Sequence, residues 1–384
     1  MAEIKNLKKA AARFLKAAKK KEKIIIYSDS DLDGVASAII FKDIIKNIGG
    51  NVAEIYFPDR ESEGYGITKD SLKVLKNIAP AILVSLDCGI GSVEETALAR
   101  KMGFEVVIID HHEILDKLPK ANIIVDPKQK GDKYPFKQLA NVGLVFKLAE
   151  ALLKNKINDN LRQDFMLLTA MATIADMMPK KDDNELIITE GITYLESSWR
   201  PGIKALLGLI DTSSNLMDKV YKMNSYLNIR DVENGMPGSF RLLTASDDDE
   251  AKELAKRLIS KADEKKRKVR DIVDEVKSMV RVKAVHEPLI FEGNSNWELV
   301  LLGIAASLLV KEYKKPVFLY KKMADESHGS VRVPEGVNSV EAMKNFAKKL
   351  ITYGGHPMAS GFRVKNIYIE EFKDSLINYF EDIR

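Results

Sequence analysis

A single cysteine, Cys88, stands in 384 residues, which excludes an internal disulfide and any cysteine-built metal site. Any metal must therefore be held by carboxylates and the five histidines. No run approaches 18 uninterrupted apolar residues, the length a membrane-spanning helix needs, and the N-terminal MAEIKNLKKAAARFLKAAKKKEK lacks the apolar stretch of a signal peptide. These absences predict a cytoplasmic protein with no membrane partner. Glutamine is scarce, with three residues against abundant Lys, Glu and Ile, a bias shared with proteins from hot environments. A large excess of one charge sign is missing too. The net charge of +4 neither requires nor excludes nucleic acid. The charge is uneven, however: residues 5–23 carry eight Lys and one Arg against one Glu, and KKRKVR follows at 265–270. Such runs are solvated helix faces or surfaces that track phosphates.

The length exceeds one ordinary core and predicts two or three domains. Apolar residues at helical spacing predict an amphipathic helix over 4–20. Short apolar runs then alternate with helical patterns: KIIIYS before a helix over 35–48, VAEIYF before 69–78, AILVSL before 93–102, then EVVIID and NIIVD. Runs that are apolar throughout, separated by helices, fit the buried strands of a parallel sheet. The fold class expected is therefore α/β. From about 138 to 260 the pattern is helical, and residues 247–285, without Gly or Pro and densely charged, read as one long connecting helix. A smaller α/β stretch follows: PLIFEG, a helix in ELVLLGIAASLLVKEY, PVFLYK, GSVRV, a helix over 338–350 and the Gly-rich YGGHPMASGF. The boundaries expected are 1–246, 247–285 and 286–384.

The first strands end in acids. IIIYS runs into Asp29, Asp31 and Asp33, AILVSL into Asp87, and EVVII into Asp110, His111 and His112. Ligands of open α/β sheets bind at the carboxyl ends of strands, so these groups are expected in one cleft. Carboxylates crowded together repel unless a cation compensates. Hard divalent ions take oxygen ligands, and an added imidazole tilts the choice from Mg²⁺ toward Mn²⁺ or another transition metal. Asp176 in TIADMMP, where a helix should stop before Pro179, is one more candidate ligand. The set has donors for two ions with one Asp bridging, and the chemistry implied is hydrolysis of a phosphoester or phosphoanhydride. Gly34 is expected at the strand-to-helix turn, leaving room for metal and phosphate.

In order along the chain, DSDLDG, SLDCG, DHHE and ADMMP resemble the four motifs of the DHH phosphoesterase superfamily, and GGHPMASGF resembles the signature of the DHHA1 domain. PDRESEGYGI, LPKANIIVDPKQ and LANVGLVFKLAEAL are similar to segments of RecJ-type single-strand exonucleases, the compact archaeal RecJ-like nucleases included. The resemblance implies a parallel-sheet DHH domain with a helical portion, followed by a DHHA1 domain. It also implies two Mn²⁺ or Mg²⁺ ions: Asp29 and Asp31 on the first, Asp33, His111 and Asp176 on the second, and Asp87 between them. Asp110 would orient a histidine, and His112 would contact the scissile phosphate or assist proton transfer. For substrate it implies His356 with Gly354 and Gly355, whose exposed N–H groups would approach a phosphate, together with Arg332. Arg60 is expected to recognise a terminal phosphate unless Glu61 or Glu63 engages it, and Tyr65 to stack on a base. Two departures matter. Glu298 after Trp297 replaces a family His, and NIRDVENGMPGSF, with Arg230, stands where the family has a Pro-Arg-Ile-Asn-type segment.

The activity implied is metal-dependent exonucleolytic hydrolysis of single-stranded DNA or RNA, in replication, repair or RNA processing. Two alternatives remain: a nano-RNase-like or pAp phosphodiesterase, and a replication-complex scaffold with little activity. Processing of a 20-mer separates the exonuclease from the short-oligonucleotide enzyme, which would act only on dinucleotides. Helicase- or GINS-type proteins are the partners implied for the scaffold, and broken metal motifs would be its sign. All four motifs are intact.

Overall fold

The computed structural model describes residues 3–60, 62–114, 117–153, 157–210, 214–282 and 287–382. Glu61 and residues 283–286, where one expected boundary falls, lie outside them. The chain divides into two compact units, Met1–Ser260 and Lys261–Arg384. No described helix is long and apolar enough to cross a membrane.

In the first unit, α1 (Leu7–Lys20) precedes β1 (Lys23–Ser28), α2 (Leu32–Asn47), β2 (Asn51–Tyr56), α3 (Lys69–Leu75), β3 (Ala81–Leu86), α4 (Val93–Lys101), β4 (Phe104–Ile109) and β5 (Ile123–Val125). The five strands form one parallel sheet in the order β2-β1-β3-β4-β5. Helices cover both faces, so β3 is buried at all six positions, which explains its unbroken apolar run. Ile25, Tyr27, Leu83, Val106 and Ile108 pack with Leu72, Leu75 and Ala99 on one face. From β1 the chain steps outward to β2 and then returns to β3 on the other side of β1. The crevice between β1 and β3 is thus the switch point where such sheets bind ligands.

The helical portion holds α5 (Asn141–Leu153), α6 (Asp159–Ala175) and α7 to α10 (Asp182–Gly191, Pro201–Leu209, Leu216–Leu227 and Gly238–Thr244). A short hairpin of β6 (Val232–Glu233) and β7 (Met236–Pro237) lies between the last two helices. The division between the units falls inside α11 (Asp248–Val282).

The second unit is a five-stranded mixed sheet, order β11-β12-β10-β9-β8. Its elements are β8 (Ile290–Asn294), α12 (Leu299–Tyr313), β9 (Val317–Lys322), β10 (Glu326–Arg332), α13 (Ser339–Lys344), β11 (Leu350–His356), β12 (Ala359–Lys365) and α14 (Ile369–Asp382). Only β8 and β9 pair in parallel. Trp297 is buried, donates to Glu275 Oε2 at 2.7 Å and packs with Val273 and Val276 of α11. Glu298 beside it takes Lys268 at 2.7 Å. Both side chains therefore have structural partners of their own.

Three local expectations are corrected. The helix expected from 35 starts at Leu32, because Asp31 caps it: its Oδ1 accepts from Asp33 N and Gly34 N, both at 3.1 Å. Gly34 therefore lies inside the first helical turn, and a Cβ there would sit 2.3 Å from the Asp29 carbonyl oxygen. The residue makes room for backbone, not for metal or phosphate. Gly34→Ala is expected to cost about 3 kcal/mol, the upper end of ordinary overpacking, read from denaturant midpoints. A change below about 0.5 kcal/mol, the range of neutral surface substitutions, would refute this. The helix expected over 338–350 stops at Lys344, because residues from Leu350 onward pair with β12. Gly354 and Gly355 thus lie within a strand of a hairpin. Gly355 (φ 134°) is needed where a Cβ would meet Ala359 O and Ser360 Cα, each at 2.7 Å. The basic N-terminal run is partly engaged as well, with Arg13 forked onto both Glu105 oxygens at 2.7 Å.

Candidate metal centre

Strand register builds the site. Ser28 pairs with Leu86, Leu86 with Ile109, and Ile109 with Val125. The next residue on each strand is an aspartate, so Asp29, Asp87, Asp110 and Asp126 form a row across four strand ends. The ladder continues through them: Asp29 N donates to Leu86 O, Asp87 N to Ile109 O and Asp110 N to Val125 O, at 3.1–3.2 Å. At Asp87 the backbone turns left-handed (φ 59°), a conformation Asp and Asn tolerate better than most residues.

Other elements aim their groups at this row. Asp33, in the first turn of α2, is buried and accepts from Asn141 N and Val142 N at the start of α5, each at 2.8 Å. Asp176 ends α6 as its C-cap. His111 Nε2 lies 3.3 Å from Asp87 Oδ1, 3.6 Å from Asp176 Oδ2 and 3.8 Å from Asp33 Oδ2. Donor atoms gather within 4.8 Å of one another in three overlapping groups: Asp29, Asp31 and Asp87; Asp33, His111 and Asp176; and Asp87, His111 and His112.

Electrostatics show that this cluster is incomplete on its own. Burial, then neighbouring carboxylates, pushes Asp33 and Asp87 well above the usual carboxylate range, and burial followed by Asp31 lifts Asp176 to about 6. Burial drives His111 down to about 4, leaving a neutral imidazole suited to metal ligation. Asp87 Oδ1, His111 Nε2 and Asp176 Oδ2 are buried without hydrogen-bond partners. Buried polar atoms left unpaired are costly, and three converging from three elements fit a divalent cation. The Asp29 side of the row differs. Arg60 Nε donates to Asp29 Oδ1 at 2.6 Å and Nη2 to Asp31 Oδ2 at 3.1 Å. Arg60 thus engages two of the candidate metal-binding acids, and its guanidinium supplies their counter-charge.

Asp110 turns inward to protein donors. Its Oδ2 accepts from Ile90 N at 2.9 Å; its Oδ1 accepts from His111 N at 2.8 Å and contacts His112 Nδ1 at 2.8 Å. Burial alone would raise Asp110, but His112 and these donors hold it below its ordinary value. His112 is raised in turn: burial opposes its charge and Asp110 overrides that. Tyr65 Oη donates to Asp87 O at 3.1 Å and edges the His112 ring. Cys88 is buried and its thiol is pushed up to about 12 by burial, so it offers no thiolate.

The expected substrate residues are divided. Arg60 joins the cluster, while Arg230 is exposed and forks onto Asp59 at 2.9 and 3.0 Å. Arg332, Gly355 and His356 belong to the second unit. Arg332 Nη1 donates to Val331 O at 2.8 Å, its Nη2 lies where a Cβ on Gly303 would be 2.8 Å away, and burial lowers its pKa. His356 is exposed at the end of β11.

Two residues escaped sequence reasoning. Asn141 is fully buried; oriented with its oxygen to Asp87 N (3.0 Å) and its nitrogen to Ile109 O (2.8 Å), its amide ties together the ends of β3 and β4. Its signal, a lone Asn before an apolar helix, reads only as a cap. Asp126 ends NIIVD as the other acids end their strands, and that likeness could have identified it. Burial raises Asp126 to about 7. A raised carboxyl stabilises the fold below its unfolded value near 3.9, and that contribution is lost as pH rises through about 7. Asp126→Asn is therefore expected to gain on the order of 1–3 kcal/mol at pH 8 and almost nothing at pH 3, measured by urea unfolding. Equal gains at both pH values would refute this.

Residues 23–173 match the DHH family, N-terminal domain, and residues 282–383 match the DHHA1 domain. The chain is 34% identical to the single-stranded-DNA-specific exonuclease RecJ of Bacillus subtilis, over 97% of this chain and 48% of that protein. It is 25% identical to its Escherichia coli namesake, over 94% and 67%. The chain thus spans roughly half to two thirds of the length of these relatives. A crystal structure of exonuclease RecJ bound to manganese matches with a TM-score of 0.81 at 23% identity, covering 99% of this chain and 95% of that one. CDC45 from Entamoeba histolytica matches at 0.52 and 13%, covering 98% and 99%. At these identities the structural likenesses establish the fold.

Proposed function

The chain carries a DHH family N-terminal domain and a DHHA1 domain and is homologous to RecJ exonucleases, and from that premise we propose that it is a metal-dependent exonuclease hydrolysing single-stranded DNA from an end. The observation that carries the reading is the central place of Asp87, shared between an all-aspartate donor group and a histidine group, with a buried oxygen that no protein donor satisfies. Asp29 and Asp31 would hold one divalent ion, Asp33, His111 and Asp176 the other, and Asp87 both; Mn²⁺ or Mg²⁺ suits these donors. Bound there, such ions would supply Lewis acidity and a lowered water pKa for in-line displacement at a phosphodiester.

The remaining work falls to the chain. Asn141 N and Val142 N hold Asp33 in place, and Asp110 orients His112 toward the scissile phosphate and favours its charged form. Arg60, released from Asp29 and Asp31 once those acids are otherwise neutralised, is the fork for a terminal phosphate. Arg230, Arg332 and His356 add contacts to the strand, and Gly355 shapes the hairpin that carries His356. Residues 1–246 would form the catalytic domain with its helical portion, 247–285 the connecting segment and 286–384 the substrate-binding domain, in a cytoplasmic enzyme of the archaeal RecJ-like type. Helicase- or GINS-type partners beside catalysis belong to the same reading, tested by pull-down with purified candidates.

Single-stranded DNA and RNA 20-mers, labelled at either end, test the activity with Mn²⁺, Mg²⁺ or chelator. Mononucleotides released from DNA with metal and not with chelator are expected. No hydrolysis of any substrate with Mn²⁺ would overturn the proposal, and cleavage confined to dinucleotides would favour the short-oligonucleotide reading.

A further inference from the structure

Of the four aspartates in the strand-end row, only Asp87 has a left-handed backbone (φ 59°). A residue with a Cβ stays in that region only where its surroundings over-determine it. Two side chains grip it from opposite sides of its Cα. Tyr65 Oη donates to the Asp87 carbonyl at 3.1 Å. The Asp87 N–H is shared between Ile109 O at 3.1 Å and the amide oxygen of Asn141 at 3.0 Å.

Asn141 is the first residue of α5 and is fully buried. Its own backbone N–H donates to Asp33 Oδ2 at 2.8 Å. One residue thus fastens the carboxylate of Asp33 with its main chain and the backbone of Asp87 with its side chain. These two acids stand in different donor groups: Asp33 with His111 and Asp176, and Asp87 with Asp29 and Asp31 and again with His111 and His112.

The residue type is dictated by the bonds it makes. Its side chain accepts from Asp87 N and from Ser37 Oγ (2.9 Å) and donates to Ile109 O (2.8 Å), so it needs separate accepting and donating atoms, as a primary amide has. Aspartate would only accept, facing the Ile109 carbonyl and adding a buried anion beside Asp33 and Asp87. Leucine, of similar volume, would make none of these bonds. Helix capping explains none of them either. A capping side chain accepts from N–H groups of its own helix, whereas this amide directs its bonds to α2 and to the ends of β3 and β4. A buried polar group with its bonds made specifies one arrangement of the elements around it.

We propose that Asn141 is a positioning residue of the metal centre: it holds Asp87 left-handed and Asp33 in register with it, so that the Asp87 carboxylate reaches both donor groups at once. Without the amide, Asp87 relaxes toward the ordinary backbone of a strand end, and its carboxylate leaves one of the two groups. The inference rests on the two-ion reading of the site and adds a residue that is not itself among the donors.

Calorimetric titration of the chelator-stripped full chain with Mn²⁺ tests this without substrate, read beside electron paramagnetic resonance, in which two Mn²⁺ ions sharing a ligand give a coupled signal. The parent should take two ions and show that signal. Asn141→Leu should bind the second ion 10–100-fold more weakly, the loss that follows removal of partners behind metal ligands. It should also lose the coupled signal while keeping the parent's near-ultraviolet circular dichroism below its melting transition. If Asn141→Leu does not fold, Asn141→Ala decides by the same two metal readouts. Asn224→Ala removes another buried amide of the first unit, one that donates to Met171 O at 2.8 Å; it should lower the melting temperature and leave both readouts unchanged. Two coupled ions bound within twofold of parental affinity in the Asn141 variant would overturn the proposal and leave the two-ion reading standing. Loss of the coupled pair in Asn224→Ala would overturn it as well, because any loosened amide would then suffice. A parent chain that takes fewer than two Mn²⁺ refutes the two-ion reading, and the proposal falls with it.

Discussion

Asp87→Asn is expected to lower hydrolysis of single-stranded DNA by about a thousandfold or more, as loss of a central electrostatic group does elsewhere, and to raise the stability of the metal-free protein. The two effects have one cause. Asp87 is 2% exposed, lies among Asp33, Asp110 and His111, and is kept above the carboxylate range by burial. An amide in its place removes the buried charge and so relieves the cluster, but it no longer offers an anionic oxygen to two cations. Asparagine also tolerates the left-handed backbone (φ 59°) at this position, so geometry is preserved. Turnover on a labelled 20-mer, Mn²⁺ stoichiometry by calorimetry and melting in chelator are the three readouts. Activity within tenfold of the parent would sink the assignment of Asp87 as the shared ligand.

Removing the metal should make stability depend on pH in a direction the loaded protein lacks. In chelator, the raised Asp33, Asp87 and Asp176 and the raised His112 bind protons more tightly folded than unfolded. Their contributions are present at low pH and lost as pH rises through the folded values. His111, lowered to about 4, opposes them below its unfolded value near 6.5 and is neutral in both states above it. Above about pH 6.5 His111 is neutral in both states and Asp176, with a folded value of about 6, is largely spent, so the melting temperature in chelator should fall with rising pH there through Asp33, Asp87 and His112. Mn²⁺ needs the same carboxylates deprotonated, so its stabilisation should grow over that window. At a thousandfold excess over Kd one site adds about 4 kcal/mol, or roughly 8 °C or more for a domain of this size. A melting temperature at pH 8 unmoved by Mn²⁺ would refute the metal centre.

Much of the first unit was legible residue by residue. The unbroken apolar runs at 24–27, 81–84 and 106–109 could be stable only as strands covered on both faces, and the acids that end them stood out because an aspartate is costly at the end of a buried run without a partner. Legibility failed where partners are remote. Gly34 read as a turn because nothing local reveals that Asp29 O lies 2.3 Å from where its Cβ would be. The segment after Lys344 read as helix because only pairing with β12 makes Leu350–His356 a strand. Asp126 passed unnoticed although NIIVD reads as a strand, because a lone aspartate after a strand reads as a turn residue and only the register with β4 sets it in the row.

Local spacing, then, was enough for the element types, the parallel class of the first sheet and the identity of the acidic and histidine groups, since each depends on side-chain periodicity and turn chemistry within a few residues. The strand order β2-β1-β3-β4-β5, the register that puts Asp29, Asp87, Asp110 and Asp126 in one row, the pairing of Arg60 with two of the candidate ligands, and the tie of Asn141 to Asp33 and Asp87 depended on tertiary structure. These features depend on distances between segments up to 108 residues apart, which packing and charge compensation settle together and no local pattern encodes.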